Sequence, residues 1–382
     1  RSYASDYLWL SVAGKPTLLV LDPKGIRHVL DASPDVYGPP DLKVRGMSHF
    51  QPGAVTISTG DDWKRRRAFN DDVLAVGERV HPRAAEFLAV VERHVTPLAK
   101  TGTMRLRWTD IHGAFRRITA GVVFGLDVDA ESVLARLDGL MKNANRLAGQ
   151  PDTKGLHAFQ HEILDRMCDP AAGGLAVAAC PYVEPDDPLP VAGQIPHWLF
   201  AMKDTLATNC AHALALVAVH GDVQERARAE VASADLSDTA SVDGMAFVEG
   251  CLRDSQRLWP TTPIIVRRAV QDDEVEGHPV PAGSQVLIHN GFNHRNPDFM
   301  ADPDAFYPEA WKQGGWDYRF NALSNGPQAC AGSGIVHFLG RAVLGRLLQH
   351  HRWTLSHPTL DPGQPIPHAF DHQAMLLTGE SA

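Results

Sequence analysis

The sequence predicts a mainly α-helical protein with a small β-rich lobe. Apolar residues recur at three- and four-residue spacing through most of residues 61–260 and again through 331–350, which is typical of helices with one buried face. Short alternating segments bounded by glycine and proline indicate strands at about residues 7–21, 262–289 and 352–377. Since no linker or internal repeat divides the sequence, we expect residues 1–382 to form one domain.

The N-terminal residues predict a β-hairpin followed by a short helix. Apolar residues alternate on both sides of Ala13-Gly14-Lys15-Pro16, a turn sequence that can join two strands. Asp22-Pro23 then begins a helix through Leu30, because proline is favoured at the first helical position.

Helical spacing dominates the middle of the sequence. The longest pattern, about residues 191–220, is apolar on most sides, so we expect this helix to be buried at the centre, with a kink or a late start at Pro196. Further helices are predicted at about residues 83–101, 108–124, 243–258 and 332–350. Closing strands are predicted at about residues 353–356 and 374–377.

Composition excludes several classes of protein. Hydrophobic residues make up 44% and charged residues 21%, so the chain is not disordered. The net charge of −9 argues against a nucleic-acid partner, and no apolar run is long enough to predict a membrane span. The five cysteines form no CxxC pair, so we expect free thiols and a cytoplasmic location.

One cysteine stands in a loop suited to a metal. Gly326 and Pro327 form a tight turn that brings Cys330 to the beginning of the last predicted helix, whose positive end favours a thiolate. Gly332 leaves room beside the sulfur for a large flat cofactor. A single cysteine without a second ligand at metal spacing suits haem iron better than zinc or an iron–sulfur cluster. A buried structural cysteine would fit the same loop.

This loop, residues 323–332, resembles the haem-binding loop of cytochromes P450, F-G-x-G-x-H/R-x-C-x-G. The matching residues are Gly326, Cys330 and Gly332, whereas Leu323, Ser324 and Gln328 replace Phe, Gly and His/Arg.

Three further blocks follow the order of that family. Trp63-Lys-Arg-Arg-Arg67 resembles W-x-x-x-R, and Phe200-Ala-Met-Lys-Asp204-Thr205 resembles the A-G-x-D/E-T of the long central helix. Asp254-Ser-Gln-Arg257 resembles E-x-x-R with the shorter Asp in place of Glu, which weakens the expected ion pair. The resemblance covers essentially the whole chain apart from an N-terminal segment, and it implies the fold of the soluble, bacterial type of cytochrome P450.

The resemblance also implies a haem b cofactor (iron protoporphyrin IX) and roles for individual residues. Cys330 would ligate the iron, with Gly326 in the tight loop before it and Gly332 leaving room for the macrocycle, while the small Ala201 would leave space for a diatomic ligand. The haem propionates would be held by Trp63, Arg67, Arg267 and Gln328. Arginine forks suit carboxylates, whereas the uncharged Gln328 makes a weaker clamp.

Asp204 and Thr205 are the residues we expect to handle oxygen and protons. Ala201 and Thr205 are four residues apart and share a helical face, with Asp204 turned about 100° away. In the family this acid–alcohol pair delivers protons to oxygen, although a structural threonine bonded to a carbonyl would fit the sequence too. Met202 replaces the usual glycine and makes the width of the pocket uncertain.

Two other groups of residues are interpreted as surface. Lys64, Arg65 and Arg66 read as a solvated basic turn that can face a redox partner. His157 and His161 have zinc-chelating spacing but lack the HExxH pattern, so we interpret them as surface histidines.

Together these residues predict a haem-thiolate monooxygenase acting on an apolar or mixed-polarity small molecule. Electrons would come from separate partners, a ferredoxin and its reductase, because the sequence contains no flavin or iron–sulfur module. Substrate would contact residues 37–58, 262–265 and 370–375. The alternatives are a peroxide-driven peroxygenase, a haem-thiolate isomerase or dehydratase, and a non-catalytic haem-binding accessory protein.

Overall fold

The computed structural model describes residues 5–99, 102–146, 149–169, 171–187 and 189–381. The protein is mainly α-helical with small β-sheets, as predicted. The helices of the described part are α1 (Pro23–Asp31), α2 (Asp41–Met47), α3 (Gly60–Val73), α4 (Ala84–Val95), α5 (Trp108–Phe124), α6 (Ala130–Ala144), α7 (Thr153–Met167), α8 (Gly174–Ala179), α9 (Leu189–Ala192), α10 (Ile195–Phe200), α11 (Ala207–Val219), α12 (Gly221–Ala232), α13 (Thr239–Asp243), α14 (Ala246–Leu258), α15 (Asn290–Asn293) and α16 (Ser333–Gln349).

The strands form three sheets within the described residues. They are β1 (Tyr7–Val12), β2 (Lys15–Val20), β3 (Tyr37–Gly38), β4 (Met104–Arg107), β5 (Ile264–Ala269), β6 (Asp273–Val275), β7 (His278–Val280), β8 (Gln285–His289), β9 (His351–His357) and β10 (Leu376–Ser381). The largest sheet has the order β1-β2-β8-β5-β3, so the two predicted strand regions near residues 7–21 and 262–289 do form one lobe.

The N-terminal hairpin and the helix after it are confirmed. β1 and β2 pair antiparallel, with Tyr7 opposite Val20. The side chain of Asp22 accepts hydrogen bonds from the backbone N–H groups of Lys24 and Gly25, and proline occupies the first helical position of α1. The predicted short helix therefore begins where its cap and proline dictate.

The short strand β4 was not predicted from the sequence. It pairs with β10, which also pairs with β9, so a segment near the middle of the chain joins the predicted closing strands in one sheet. A four-residue strand followed at once by Trp108 and α5 is too short to show an alternating pattern.

The central helix begins later than its apolar pattern suggests. Residues 189–192 form the separate helix α9, and the long helix begins at Ile195 with Pro196 in its first turn, as expected of proline. Between α10 and α11 the segment Ala201–Leu206 is π-helical. Such a wide turn is common at functional sites, and it was not predicted.

The central helix lies in the main apolar core. This core includes Phe115 of α5, Leu214 of α11, Leu252 of α14 and Leu344 of α16, all buried. A second cluster, including Leu18 and Ile288, lies beneath the largest sheet. The helices α16 and α5 both contact the π-helical segment, so the element that follows Cys330 packs against the one that carries Asp204.

Asp254 and Arg257 form a fully buried ion pair. The guanidinium donates two hydrogen bonds to the carboxylate, at 2.6 and 3.1 Å, and further ones to the carbonyls of Pro303 and Ala305. The expectation that the shorter Asp weakens this pair is wrong, because the Tyr307 backbone N–H also donates to the carboxylate at 2.7 Å. The pair joins α14 to the segment that leads toward the Cys330 loop, which confirms its structural role.

The expectation of five free thiols is also wrong. Cys168 at the end of α7 and Cys180 after α8 form a disulfide, which the twelve-residue spacing did not suggest. Cys210, Cys251 and Cys330 are free. The cytoplasmic location stays a prediction.

Within the described residues, no helix has both the length and the apolar composition needed to cross a membrane.

Candidate functional site

The Cys330 loop is held by backbone contacts with the N-terminal lobe. Gly326 has φ +69°, and a Cβ atom there would lie 2.6 Å from the carbonyl oxygen of Leu30 in α1. The Cys330 N–H donates to the Leu323 carbonyl at 2.9 Å, and its own carbonyl accepts from Ser333, the first residue of α16. The predicted tight turn before the last helix is therefore present, and glycine at 326 is required by both φ and space.

The pKa of the Cys330 thiol lies above its ordinary value, whereas the sequence predicted a thiolate. Burial raises its pKa, and this effect outweighs the Gly332 backbone N–H and the nearby Arg67, which both lower it. The position before a helix was expected to favour a thiolate, but desolvation dominates here. The positive charge of a bound metal would reverse the balance, because a coordinating thiol is deprotonated.

Arg67 reaches the Cys330 loop from α3. Its Nη1 donates to the Ala329 carbonyl at 2.6 Å, and its Nε donates to Asp71 at 2.9 Å. Arg67 therefore stabilises the loop in this structure. The predicted hydrogen bond to a propionate would come from the guanidinium N–H groups that these two contacts do not use. Trp63, one turn earlier on the same helix, is half-buried.

Arg267 lies in β5 with its positive charge buried. Its Nη1 donates to the neighbouring Val266 carbonyl at 3.2 Å, and its Nε has no hydrogen-bond partner among the described residues. Burial lowers the pKa of Arg267 to about 10. An unpaired buried guanidinium is costly unless an anion joins it.

Lys43 in α2 is a second cation near Arg267. Burial and then the charge of Arg267 lower the pKa of Lys43 to about 8. The position of α2 is fixed by Asp41, which accepts from Lys15 at 2.8 Å and lies 3.5 Å from Arg268, the neighbour of Arg267. Sequence reasoning missed Lys43, since a single lysine in a short polar helix carries no signal.

The residues present fit a haem. Cys330 offers one sulfur, and a Cβ atom at Gly332 would lie 3.9 Å from it, so glycine keeps the space beside the sulfur clear. The buried Arg267 and the half-buried Lys43 are two cations that the anionic propionates of haem could neutralise. Gln328 is half-buried in the turn Gly326–Gln328 and can offer only an uncharged donor. No cluster of three potential metal-ligating side chains exists among the described residues.

A cavity of about 900 Å³ opens beside the central helix. From this helix, Asp204, Thr205, Thr208 and His212 line it. The other lining residues come from the β-rich lobe and the C-terminal turns: Leu19, Leu21, Leu258, Trp259, Pro260, Thr261, Pro263, His289, Gly291, Phe292, His368, Ala369, Phe370 and His372.

Of the three segments predicted to contact substrate, two line the cavity. Residues near 262–265 and 370–375 do line the cavity, but none of the lining residues belongs to 37–58. That segment forms β3 and α2 and lies instead beside Arg267 and His197.

Asp204 is engaged on both carboxylate oxygens. His112 of α5 lies 2.9 Å from Oδ1, and the ammonium of Lys203 lies 2.6 Å from Oδ2. Burial alone would raise the pKa of Asp204, but these two partners outweigh it, so the pKa lies below its ordinary value. Lys203 is itself 3.2 Å from Asp138, which Arg116 joins to the exposed Glu131.

The π-helical segment changes which residues face the cavity. Thr205 and Asp204 line it, whereas Ala201 does not, because positions four apart no longer stack in a π-turn as they do in an α-helix. Met202 is buried in the main core, so it does not narrow the cavity. Thr208, one turn further on, donates its hydroxyl to the Asp204 carbonyl at 2.9 Å.

The structure thus gathers the predicted residues in three groups. Cys330 and Arg67 meet at the loop, Arg267 stands with Lys43, and Asp204 and Thr205 stand at the cavity. His157 and His161 are exposed, as interpreted. The residues that sequence reasoning missed are Lys43, His112 and His212. For His212 the sequence offered one signal, its place on the central helix seven residues after Thr205, whereas nothing in the sequence indicated Lys43 or His112.

A family model described as Cytochrome P450 matches residues 190–377 of this chain. Cytochrome P450 3A6 of Oryctolagus cuniculus is 23% identical over 401 residues, covering 91% of this chain and 79% of the relative. Cytochrome P450 4g15 of Drosophila melanogaster is 28% identical over 205 residues, covering 50% and 33%. Aromatase of Capra hircus is 29% identical over 154 residues, covering 40% and 30%. Apart from the first of these, the chain spans about a third of the length of the relatives named.

Proposed function

We propose that this chain is a haem-thiolate monooxygenase of the cytochrome P450 superfamily that inserts one oxygen atom from O2 into a small organic molecule. The support from the comparisons is the Cytochrome P450 model that matches residues 190–377 and the similarity to Cytochrome P450 3A6 over most of the chain. The observation that carries the proposal is the Cys330 loop, a single free cysteine delivered before α16 with glycine beside its sulfur. The matched region contains both this loop and the central helix.

The cofactor of this family is haem b, which supplies oxygen activation when it is bound. Cys330 Sγ would ligate its iron. Arg267 and Lys43 would neutralise propionate charge, while Arg67, already bonded to the Ala329 carbonyl, keeps the loop in position. Gln328 would add a neutral hydrogen bond of lower strength.

Proton delivery is the task we assign to Asp204. Its Oδ1 receives a hydrogen bond from His112 Nε2, and the half-buried His112 ring can exchange protons with solvent. Lys203 fixes the other oxygen, so the carboxylate holds one orientation at the cavity wall. Thr205, also at the wall, offers a hydroxyl that can pass a proton onward.

A separate ferredoxin-type donor is proposed to supply electrons. The support is positional: α3 carries exposed Lys64 and Arg65 on the helix that contacts the Cys330 loop through Arg67. These two cations pair with Asp61 and Asp62 at 3.3 and 2.5 Å. Because these aspartates cancel the positive charges on α3, the affinity for the electron donor should depend only weakly on ionic strength.

The decisive experiment is the absorption spectrum of the reduced haem protein under carbon monoxide. We expect a strongly red-shifted Soret band in the wild type and its loss in Cys330→Ala, with Cys251→Ala, at a second free cysteine, as the control. A colourless wild type, or an unchanged spectrum in Cys330→Ala, would refute the proposal.

Turnover then separates the oxygenase from its alternatives. Oxygen uptake and product formation with a surrogate ferredoxin and its reductase are expected to exceed those with hydrogen peroxide alone. Product formation with peroxide only would indicate a peroxygenase instead. The paired carboxylate of Asp204 favours the oxygenase, since peroxide users need no such proton route.

A further inference from the structure

His212 is a buried polar side chain at the cavity wall. It is 6% exposed, two turns beyond Thr205 on the central helix. Neither ring nitrogen makes a hydrogen bond of normal geometry with a described residue. Burial, together with the charge of His372, lowers its pKa to about 3, although the nearby Trp259 backbone raises it slightly. The ring is therefore neutral, with one N–H donor and one nitrogen acceptor.

Aromatic rings surround His212. It packs edge-on against Trp259, Phe370 and His372, with ring centroids 5.2 to 5.8 Å apart. Trp259 and Phe370 are themselves stacked at 4.7 Å. Flat faces and edges of this kind favour the rings of a ligand by offset or edge-to-face contact.

The cavity wall offers little to a charged ligand. No lysine or arginine is among the described residues that line it, so an anion would meet no fixed positive charge. The acidic lining residue is Asp204, and its two oxygens are already engaged by His112 and Lys203. A charged ligand would lose its hydration without an equivalent partner.

We propose that the cavity selects a neutral, ring-containing, mostly apolar molecule with one hydroxyl group, and that this hydroxyl bonds to the ring of His212. This inference rests on the proposed function, whose substrate class it names. A hydroxyl can either donate to the bare ring nitrogen or accept from the ring N–H, so it can bond to whichever nitrogen of the neutral imidazole faces the cavity. A molecule without the hydroxyl would leave the buried histidine unsatisfied.

The test compares three probes that share one ring system, namely 2-naphthol, naphthalene and 2-naphthoate, by calorimetric titration of the haem-loaded protein. In the wild type, 2-naphthol is expected to bind most tightly and 2-naphthoate most weakly. In His212→Phe, which keeps an aromatic ring, the preference for 2-naphthol over naphthalene should fall about 3- to 10-fold, the range expected for one hydrogen bond.

Two further variants keep the outcome interpretable. His212→Asn, which retains a donor and an acceptor, should keep part of the preference. His157→Phe, at an exposed histidine of α7 that is not among the residues lining the cavity, should keep all of it. Circular dichroism and the melting temperature of each variant establish that it is folded.

Three results would overturn the inference: equal affinity of the wild type for 2-naphthol and naphthalene, an unchanged preference in His212→Phe, or tightest binding of 2-naphthoate. Failure of the proposed function can be told apart from failure of this inference. The carbon monoxide spectrum tests the proposed function, and it does not depend on the naphthalene probes or on the His212 variants. A normal spectrum with no hydroxyl preference refutes the substrate class alone.

Discussion

Single residues in this protein are most informative where a charge is buried without an obvious partner. Arg267 is such a cation, and the charge of the half-buried Lys43 nearby raises the cost of burying it unless an anion lies between the two. Neither the basic block Trp63-Lys-Arg-Arg-Arg67 nor the loop before Cys330 indicated that Lys43 of α2 would lie near Arg267.

Replacing Lys43 by methionine should weaken haem retention. The change keeps the length of the side chain and removes its charge, so a propionate would lose one charge-assisted hydrogen bond, worth about 1.5–3 kcal/mol. We expect the rate of haem transfer to excess apomyoglobin to increase about tenfold or more. Lys24→Met, an exposed lysine on α1, is the control. Equal transfer rates in the two variants would remove Lys43 from the site.

At the scale of elements, two glycines of the Cys330 loop serve different purposes. Gly326 has a positive φ and lies against the Leu30 carbonyl, whereas Gly332 has φ −88° and a Cβ there would meet nothing closer than 3.9 Å. The first glycine is needed by the chain itself, and the second by whatever lies beside the sulfur.

Alanine at each position should therefore give different results. Gly326→Ala is expected to destabilise the haem-free protein by about 1–2 kcal/mol or more, from the left-handed backbone alone. Gly332→Ala should leave the stability of the haem-free protein nearly unchanged and reduce haem incorporation. Urea unfolding and haem titration measure the two effects, and similar behaviour of both variants would contradict this division.

Two ion pairs with the same spacing offer a second comparison between elements. Asp254–Arg257 in α14 and Asp62–Arg65 in α3 both join residues three apart, at 2.6 and 2.5 Å. The first pair is fully buried and the second is exposed.

Asp254→Ala should cost about 3–5 kcal/mol of stability, because it leaves the Arg257 guanidinium buried without a counter-charge. Asp62→Ala should cost less than about 1 kcal/mol, since water replaces the lost partner. The midpoint of urea unfolding provides the comparison. A similar small shift in both variants would show that α14 does not depend on its buried pair.

At the scale of the whole molecule, several buried histidines tie stability to pH. Burial lowers the pKa of His212 and of His294 to about 3, and it lowers the pKa of His337 well below the ordinary value. In the unfolded chain these histidines bind protons below about pH 6.5, while in the folded protein they stay neutral. Their contribution to stability is therefore present above pH 6.5 and is lost as the pH falls.

Unfolding measured at pH 7, 6, 5.5 and 5 should show this loss directly. Each of the three histidines is expected to lower the free energy of unfolding by about 1.4 kcal/mol per pH unit below about pH 6. His294→Gln should reduce the slope by one such increment, because His294 bonds to the Arg257 carbonyl and the Asn321 N–H as a neutral ring. His157→Gln, at an exposed position, should keep the wild-type slope. A slope that is the same in both variants would contradict the assignment.

Much of the architecture could be predicted from sequence, because the spacing of apolar residues and the positions of glycine, proline and capping residues act on the nearby chain. The helix at Trp108–Phe124 was predicted to the residue, and Asp22-Pro23 marked the start of α1. The π-turn at Ala201–Leu206 and the four-residue strand β4 could not be predicted, since tertiary packing and pairing with β10 decide them.

The sequence by itself determined the helical body, the β-rich lobe and the choice of Cys330 as the proposed haem ligand, since these depend on spacing along the chain and on the order of short motifs. Only the tertiary structure decided the partners of each charge. It placed Lys43 beside Arg267, His112 and Lys203 on the two oxygens of Asp204, and an unsatisfied His212 at the cavity wall. Burial and long-range proximity set these contacts, and neither is recorded in the local pattern of residues.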